Sequence, residues 1–218
     1  FNRAIFLSKA DFNHVCFKGS ASFGEAIFKR EAFFYDAHFQ VNAGFFNTEF
    51  QDEARFSTVE FEGNANFGGA KFQHLAFFSG SVFMGGALFA TAKFEKAVDF
   101  FKCEFHGQID FNNSIFKSES NFTSTKFNGD KTVVIFSRAE FNGRVLFENA
   151  TIQCTAAFIF VKFLKDIHFY NTNFEGYVNF KWSRFLDEVS FEDVIFAKGV
   201  DFNRVRFYAI TRFVGSRD

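Results

Sequence analysis

Phenylalanine recurs along this chain at alternating gaps of five and six residues, with mostly polar residues between, so the hydrophobic pattern has a true period of eleven. One series of centres runs from Phe1 through Phe12, Phe23 and Phe34 to Phe122, and a second from Phe6 through Phe17 and Phe28 to Phe127. After a single slip both resume, from Phe136 to Phe213 and from Phe141 to Phe207, with Ile152 the one centre that is not Phe. Two positions before each centre stands a small or β-branched residue, among them Ala10, Ala32, Thr48, Cys103, Ser114 and Val189. One wide and one narrow inward position per short side, repeated from end to end, describes a solenoid rather than a globule with a single core. A long helix is excluded: centres spaced by five and six would scatter around its surface, and Phe, Val, Thr, Asn and Gly are poor helix formers.

Register predicts how the coil closes. Stacked side chains align only if a coil holds a whole number of eleven-residue units, and one unit offers two sides, too few to enclose its own rings. Two units close as a four-sided coil of about 22 residues, giving roughly ten coils and a rod about 48 Å long at about 4.8 Å per strand layer. Glycine stands two after the centre at Gly19, Gly63, Gly85, Gly107, Gly129, Gly143 and Gly176, where the expectation is a tight corner with positive φ. The rhythm breaks only between Phe127 and Phe136, a gap of nine residues, which predicts a loop insertion at about 128–133 turned by Asn128, Gly129, Asp130 and Lys131. The same repeat resumes at once, so residues 1–218 are expected to form a single solenoid domain.

The runs Phe-Asn-Arg-Ala-Ile-Phe (1–6), Phe-Gly-Gly-Ala-Lys-Phe (67–72) and Phe-Ala-Thr-Ala-Lys-Phe (89–94) resemble those of pentapeptide repeat proteins, whose unit has a central Leu or Phe and a small residue two before it. The resemblance covers essentially the whole chain and implies an all-β, right-handed quadrilateral β-helix. The departures are one extra residue on every second side, which implies a slightly rectangular coil, and the use of Phe at almost every centre.

Composition narrows function by exclusion. No apolar run of membrane-spanning length and no charged-then-apolar leader is present, and Cys16, Cys103 and Cys154 stand too far apart along the rod to bridge, so a soluble chain in a reducing, cytoplasmic setting is expected, unless it is a piece of an anchored protein. The pattern is already in phase at Phe1 and still in phase at Phe213; this fits either a piece of a longer protein or rods that meet end to end. His14, His38, His74, His106 and His168 occupy different repeat positions and no two stand one coil apart, so no metal set, catalytic constellation or cofactor is expected.

What remains is the outer surface. Stepping by 22 places Lys162, Arg184 and Arg206 in one column, and Arg138, Phe160, Trp182 and Arg204 in its neighbour, a basic and aromatic stripe able to hold an anionic partner, single-stranded nucleic acid included. In the N-terminal half Phe33, Tyr35, Phe77 and Phe101 flank one inward column, a candidate protein-docking face. Protection of DNA gyrase by acidic rods that resemble duplex DNA is the best-known activity of the family, and mimicry of that kind needs a polyanion. This chain carries 24 basic and 25 acidic side chains, divided 12 and 14 before the loop and 12 and 11 from residue 128 onward. The expectation is therefore a bacterial, non-enzymatic rigid scaffold or protein-interaction rod, with a protein partner or self-association. A DNA mimic and a filament unit joined through uncapped ends are the alternatives.

Overall fold

The computed structural model describes residues 1–129 and 132–215. Its strands are short, most of two residues, and line up into four parallel sheets of ten, ten, nine and nine strands. Each sheet is one side of a stacked coil. The first face runs from Ile5–Phe6 to Arg206–Phe207, the second from Ala10–Asp11 to Thr211–Arg212, the third from Cys16–Phe17 to Ile195–Phe196, and the fourth from Ala21–Ser22 to Val200–Asp201. Partners are 22 residues apart, as in Ile5 with Ile27 and Ala54 with Ala76, so the four-sided coil expected from the repeat is the coil observed. Among the described residues no helix is long and apolar enough to cross a membrane.

Apart from the turns, backbone hydrogen bonding runs between successive coils, for example from Phe34 N to Arg55 O (2.8 Å) and from Lys29 N to Phe6 O (2.9 Å). The interior holds the Phe rings, which stack along the rod and meet edge to face across it. Stacked neighbours lie from 4.5 Å (Phe6–Phe28) to 5.4 Å (Phe180–Phe202) between centroids. Offset and edge-on contacts suit the ring quadrupole, so each ring adds to its transfer free energy about 0.5–1.5 kcal/mol per good aromatic pair. Ile152, between Phe127 and Phe174 on the third face, is the one interruption of these ladders.

The small inward positions include polar residues, and most of them bond to the backbone of the preceding coil. Thr48, Ser114, Thr125 and Thr172 donate their hydroxyls to the carbonyls of Phe23, Phe89, Phe100 and Phe147 in the preceding coil, at 2.7–2.8 Å. Ser81 and Ser183 reach Phe56 O and Phe158 O in the same way, and the Cys103 thiol reaches Phe78 O at 2.9 Å. At these positions a narrow column accepts a hydroxyl with its donor satisfied, whereas the buried Ser120 and Thr211 hydroxyls have no partner.

The corners differ from expectation. Gly63, Gly85, Gly107, Gly143 and Gly176 do not have positive φ; a Cβ at each would lie 2.0–2.6 Å from backbone atoms of the coil below. Glycine is needed there because two backbones approach too closely for a side chain. Gly129, beside the insertion, is the exception with φ 110. Positive φ belongs instead to the residue two after each first-series Phe, from Arg3 (φ 57) to Arg204 (φ 59). That residue is the third of a turn closed from Phe1 O to Ala4 N, and from Phe136 O to Ala139 N. Two glycines fill it, Gly69 and Gly80, and otherwise it holds Arg, Lys, His, Asp, Glu, Asn, Ser, Thr, Phe or Trp, held in place by its own N–H bond to the next coil, as in Trp182 N to Asn203 O.

The insertion leaves the faces undisturbed. Ile109 pairs with Val134 and Phe111 stacks on Phe136 at 4.9 Å, each 25 residues apart instead of 22. Asn128 N bonds to Phe105 O, and the Thr132 hydroxyl donates to Gly129 O at 2.9 Å. Asp130 and Lys131 lie outside the described residues.

Two outcomes test this packing. Gly85→Ala places a Cβ 2.5 Å from the carbonyl of Gly63 and is expected to cost about 1–3 kcal/mol in denaturant unfolding, the range for overpacking. Gly19→Ala, with open space around its Cβ, should stay within about 0.5 kcal/mol. In thiol labelling of the native chain only exposed Cys16 should react. Burial pushes the thiols of Cys103 and Cys154 upward in pKa, and both should label only after unfolding.

Candidate functional site

The turn with positive φ and the first face together build a groove in the C-terminal half. The turn residue points its side chain outward at one wall, giving Arg138, Phe160, Trp182 and Arg204, with φ of 58, 59, 66 and 59. A left-handed conformation costs a non-glycine residue roughly 1–2 kcal/mol, so these bulky side chains sit where the backbone favours glycine. Two residues on, the outward column of the first face gives Glu140, Lys162, Arg184 and Arg206 as the other wall, in direct register. Ala139, Val161 and Val205 make the floor between them, and the groove encloses about 790 Å³. All seven residues of the stripe read from the sequence line it.

Its side chains are organised by stacking. Phe160 lies on Trp182 with centroids 5.6 Å apart and planes 14° apart, and the Arg204 guanidinium covers the other side of the indole at 4.3 Å. Both faces of Trp182 are therefore occupied, while Phe160 remains 48% exposed. Glu140, the single acid in the walls, is engaged by Lys162 at 3.3 Å. Arg3, Arg55, Arg144 and Arg212 pair with carboxylates elsewhere on the rod. Among the described residues Arg138, Arg184, Arg204 and Arg206 have no such partner, which concentrates uncompensated positive charge in one concave surface.

The N-terminal aromatic face has a different character from the one its spacing suggested. Phe33 and Phe77 share the outward column of the second face, with Arg55 between them. The guanidinium lies 5.5 Å from each ring, Lys9 lies 4.4 Å from Phe33, and Lys102 lies 5.0 Å from Phe101. Phe33, Phe77 and Phe101 are half-buried under these cations, and Tyr35 alone of the four is exposed, at 48%, edge-on to His14. The face is a row of cation–π contacts, not a contiguous apolar patch.

Charge elsewhere is interleaved. Lys117 pairs with Glu95, Lys126 with Glu104 and Arg144 with Asp166, each one coil apart. Burial pushes the Asp166 carboxyl up, but hydrogen bonds from His168 and Arg144 outweigh it and hold the group below its usual range. Each outward strand column mixes acidic with neutral or basic residues, so among the described residues no strand column is a line of carboxylates.

One grouping escaped the sequence reading. His38 Nε2 lies 2.6 Å from Glu62 Oε1 and 3.7 Å from Glu60 Oε2 on the third face. Stepping by 22 from His38 reaches Glu60, so a search for histidine beside carboxylate, and not only beside histidine, would have found it.

Residues 161–206, the segment that holds most of the groove, match the family described as pentapeptide repeats (9 copies). No curated protein matches the chain. Together with the four-sided parallel solenoid, that match identifies the fold and fits a pentapeptide repeat protein.

Proposed function

We propose that the chain is a non-enzymatic, rigid interaction rod that docks an acidic segment of a partner protein in the groove between the Arg138–Arg204 and Lys162–Arg206 columns. The observation that carries this reading is the set of four arginines without a carboxylate partner, set around Phe160 and Trp182 in a concave surface. Guanidinium groups bind carboxylates through paired hydrogen bonds, and the stacked indole holds Arg204 in position for one. A rod supports such a site well, because strand register fixes the spacing of its cations before any partner arrives.

An acidic polypeptide is favoured over single-stranded nucleic acid. Sequence-tolerant nucleic-acid binding relies on bases stacking on open aromatic faces, and Phe160 and Arg204 already cover both faces of Trp182. The interleaved acidic and basic columns give no support to DNA mimicry.

Trp182 is the sole tryptophan of the chain and stands in the groove, so its emission reports occupancy directly. Titration with polyglutamate at low salt should shift that emission, and about 0.5 M salt should abolish the shift. Arg184→Glu/Arg206→Glu should weaken the interaction by roughly tenfold or more. An emission unaffected by polyglutamate, or an unchanged double variant, contradicts the reading. A response to oligothymidylate alone reassigns the partner to nucleic acid.

A further inference from the structure

We infer that His38, Glu60 and Glu62 form a surface site for one divalent first-row transition-metal ion, of which zinc is the natural probe. The imidazole and both carboxylates converge so that one donor atom of each lies within 4.8 Å of the others. The same nitrogen, Nε2, faces both acids, at 2.6 Å and 3.7 Å. Oxygen and nitrogen donors on one zinc ion, each at about 2.0–2.2 Å from it, stand roughly 3–3.5 Å apart. The observed separations bracket that value, so small side-chain rotations bring all three onto one ion. One imidazole and two carboxylates suit a borderline ion, and the solvent side leaves positions for water.

Comparison with the other histidine–carboxylate pairs of the same rod gives a second, independent reason. Two coils further along the third face, Glu104 faces His106 at 3.7 Å, but Lys126 also bonds to it at 2.9 Å and holds its carboxyl below the ordinary range. Asp166 faces His168 with Arg144 at 2.7 Å. His14 faces a single carboxylate, Asp36. At His38 two carboxylates meet one imidazole, and the position one coil above Glu60, where Glu104 has Lys126, is Val82. Among the described residues no lysine or arginine pairs with Glu60 or Glu62, so the cation that the equivalent cluster builds in is missing here. A bound metal supplies the charge that Lys126 supplies to Glu104.

The backbone prearranges the set. Glu60 projects from the strand one coil above His38 in direct register, and Glu62 follows Phe61 at the corner, so both acids reach the imidazole without a change of fold. The site lies away from the groove and does not depend on it.

Isothermal titration calorimetry of zinc chloride into the metal-free full chain, near neutral pH, tests the assignment. The native chain should bind one zinc ion saturably. His38→Ala and Glu62→Gln should each weaken binding by roughly tenfold or more, and His106→Ala should leave it unchanged. Circular dichroism of these surface variants should match the native chain and so exclude unfolding as the cause. Absence of saturable binding, or equal affinity in His38→Ala, overturns the proposal. Loss of binding in Cys16→Ser, whose thiol neighbours His38 in the strand register, moves the site onto sulfur and overturns the three-residue assignment.

Discussion

Everything in this molecule depends on one Phe ring lying on another a single coil away. The stacked pairs, near 5 Å apart and almost parallel, set the same spacing as the strand ladder outside them. Side chain and backbone therefore agree on one repeat, and that agreement allows strands of only two residues to form sheets of nine or ten. An isolated two-residue strand has no stability of its own; here each is held from inside by its neighbouring rings and from both sides by adjacent coils.

That constraint carries outward. A fixed register turns each outward position into a column, and a column of chosen residues becomes a surface of defined chemistry with no pocket-forming loops. The groove follows from two such columns. Its wall of Arg138, Phe160, Trp182 and Arg204 uses the turn with positive φ, where the coil geometry throws bulky side chains away from the rod and lets them stack. The His38 cluster uses the same logic on another face, with a donor from one coil and two acids from the next.

The fold was legible because its signal is repeated dozens of times: the centres, the narrow column before them and the insertion at residue 128 all stand in the sequence. The groove was legible for the same reason, since stepping by 22 needs no knowledge of side-chain direction. Side-chain and backbone detail was not. Spacing placed Phe33 and Phe77 on one face but could not show Arg55 lying across both rings. Glycine at the six-residue corners suggested special dihedrals, whereas at Gly63, Gly85, Gly107, Gly143 and Gly176 the cause is the backbone of the coil below. The His38 grouping combines one-coil and corner neighbours of different residue types, a relation that a search for repeated residues passes over.

The central claim is that one coil takes 22 residues, because every column, the groove and the His38 cluster depend on it. Spin labels at Lys71→Cys and Arg206→Cys in a Cys16→Ser background test it by pulsed electron paramagnetic resonance, since these positions lie six strands apart in the outward column of the first face. At about 4.8 Å per strand the account predicts a narrow distance distribution centred at roughly 29 Å. A distribution centred near twice that distance, the value for an eleven-residue coil, or one too broad to have a centre, would contradict it.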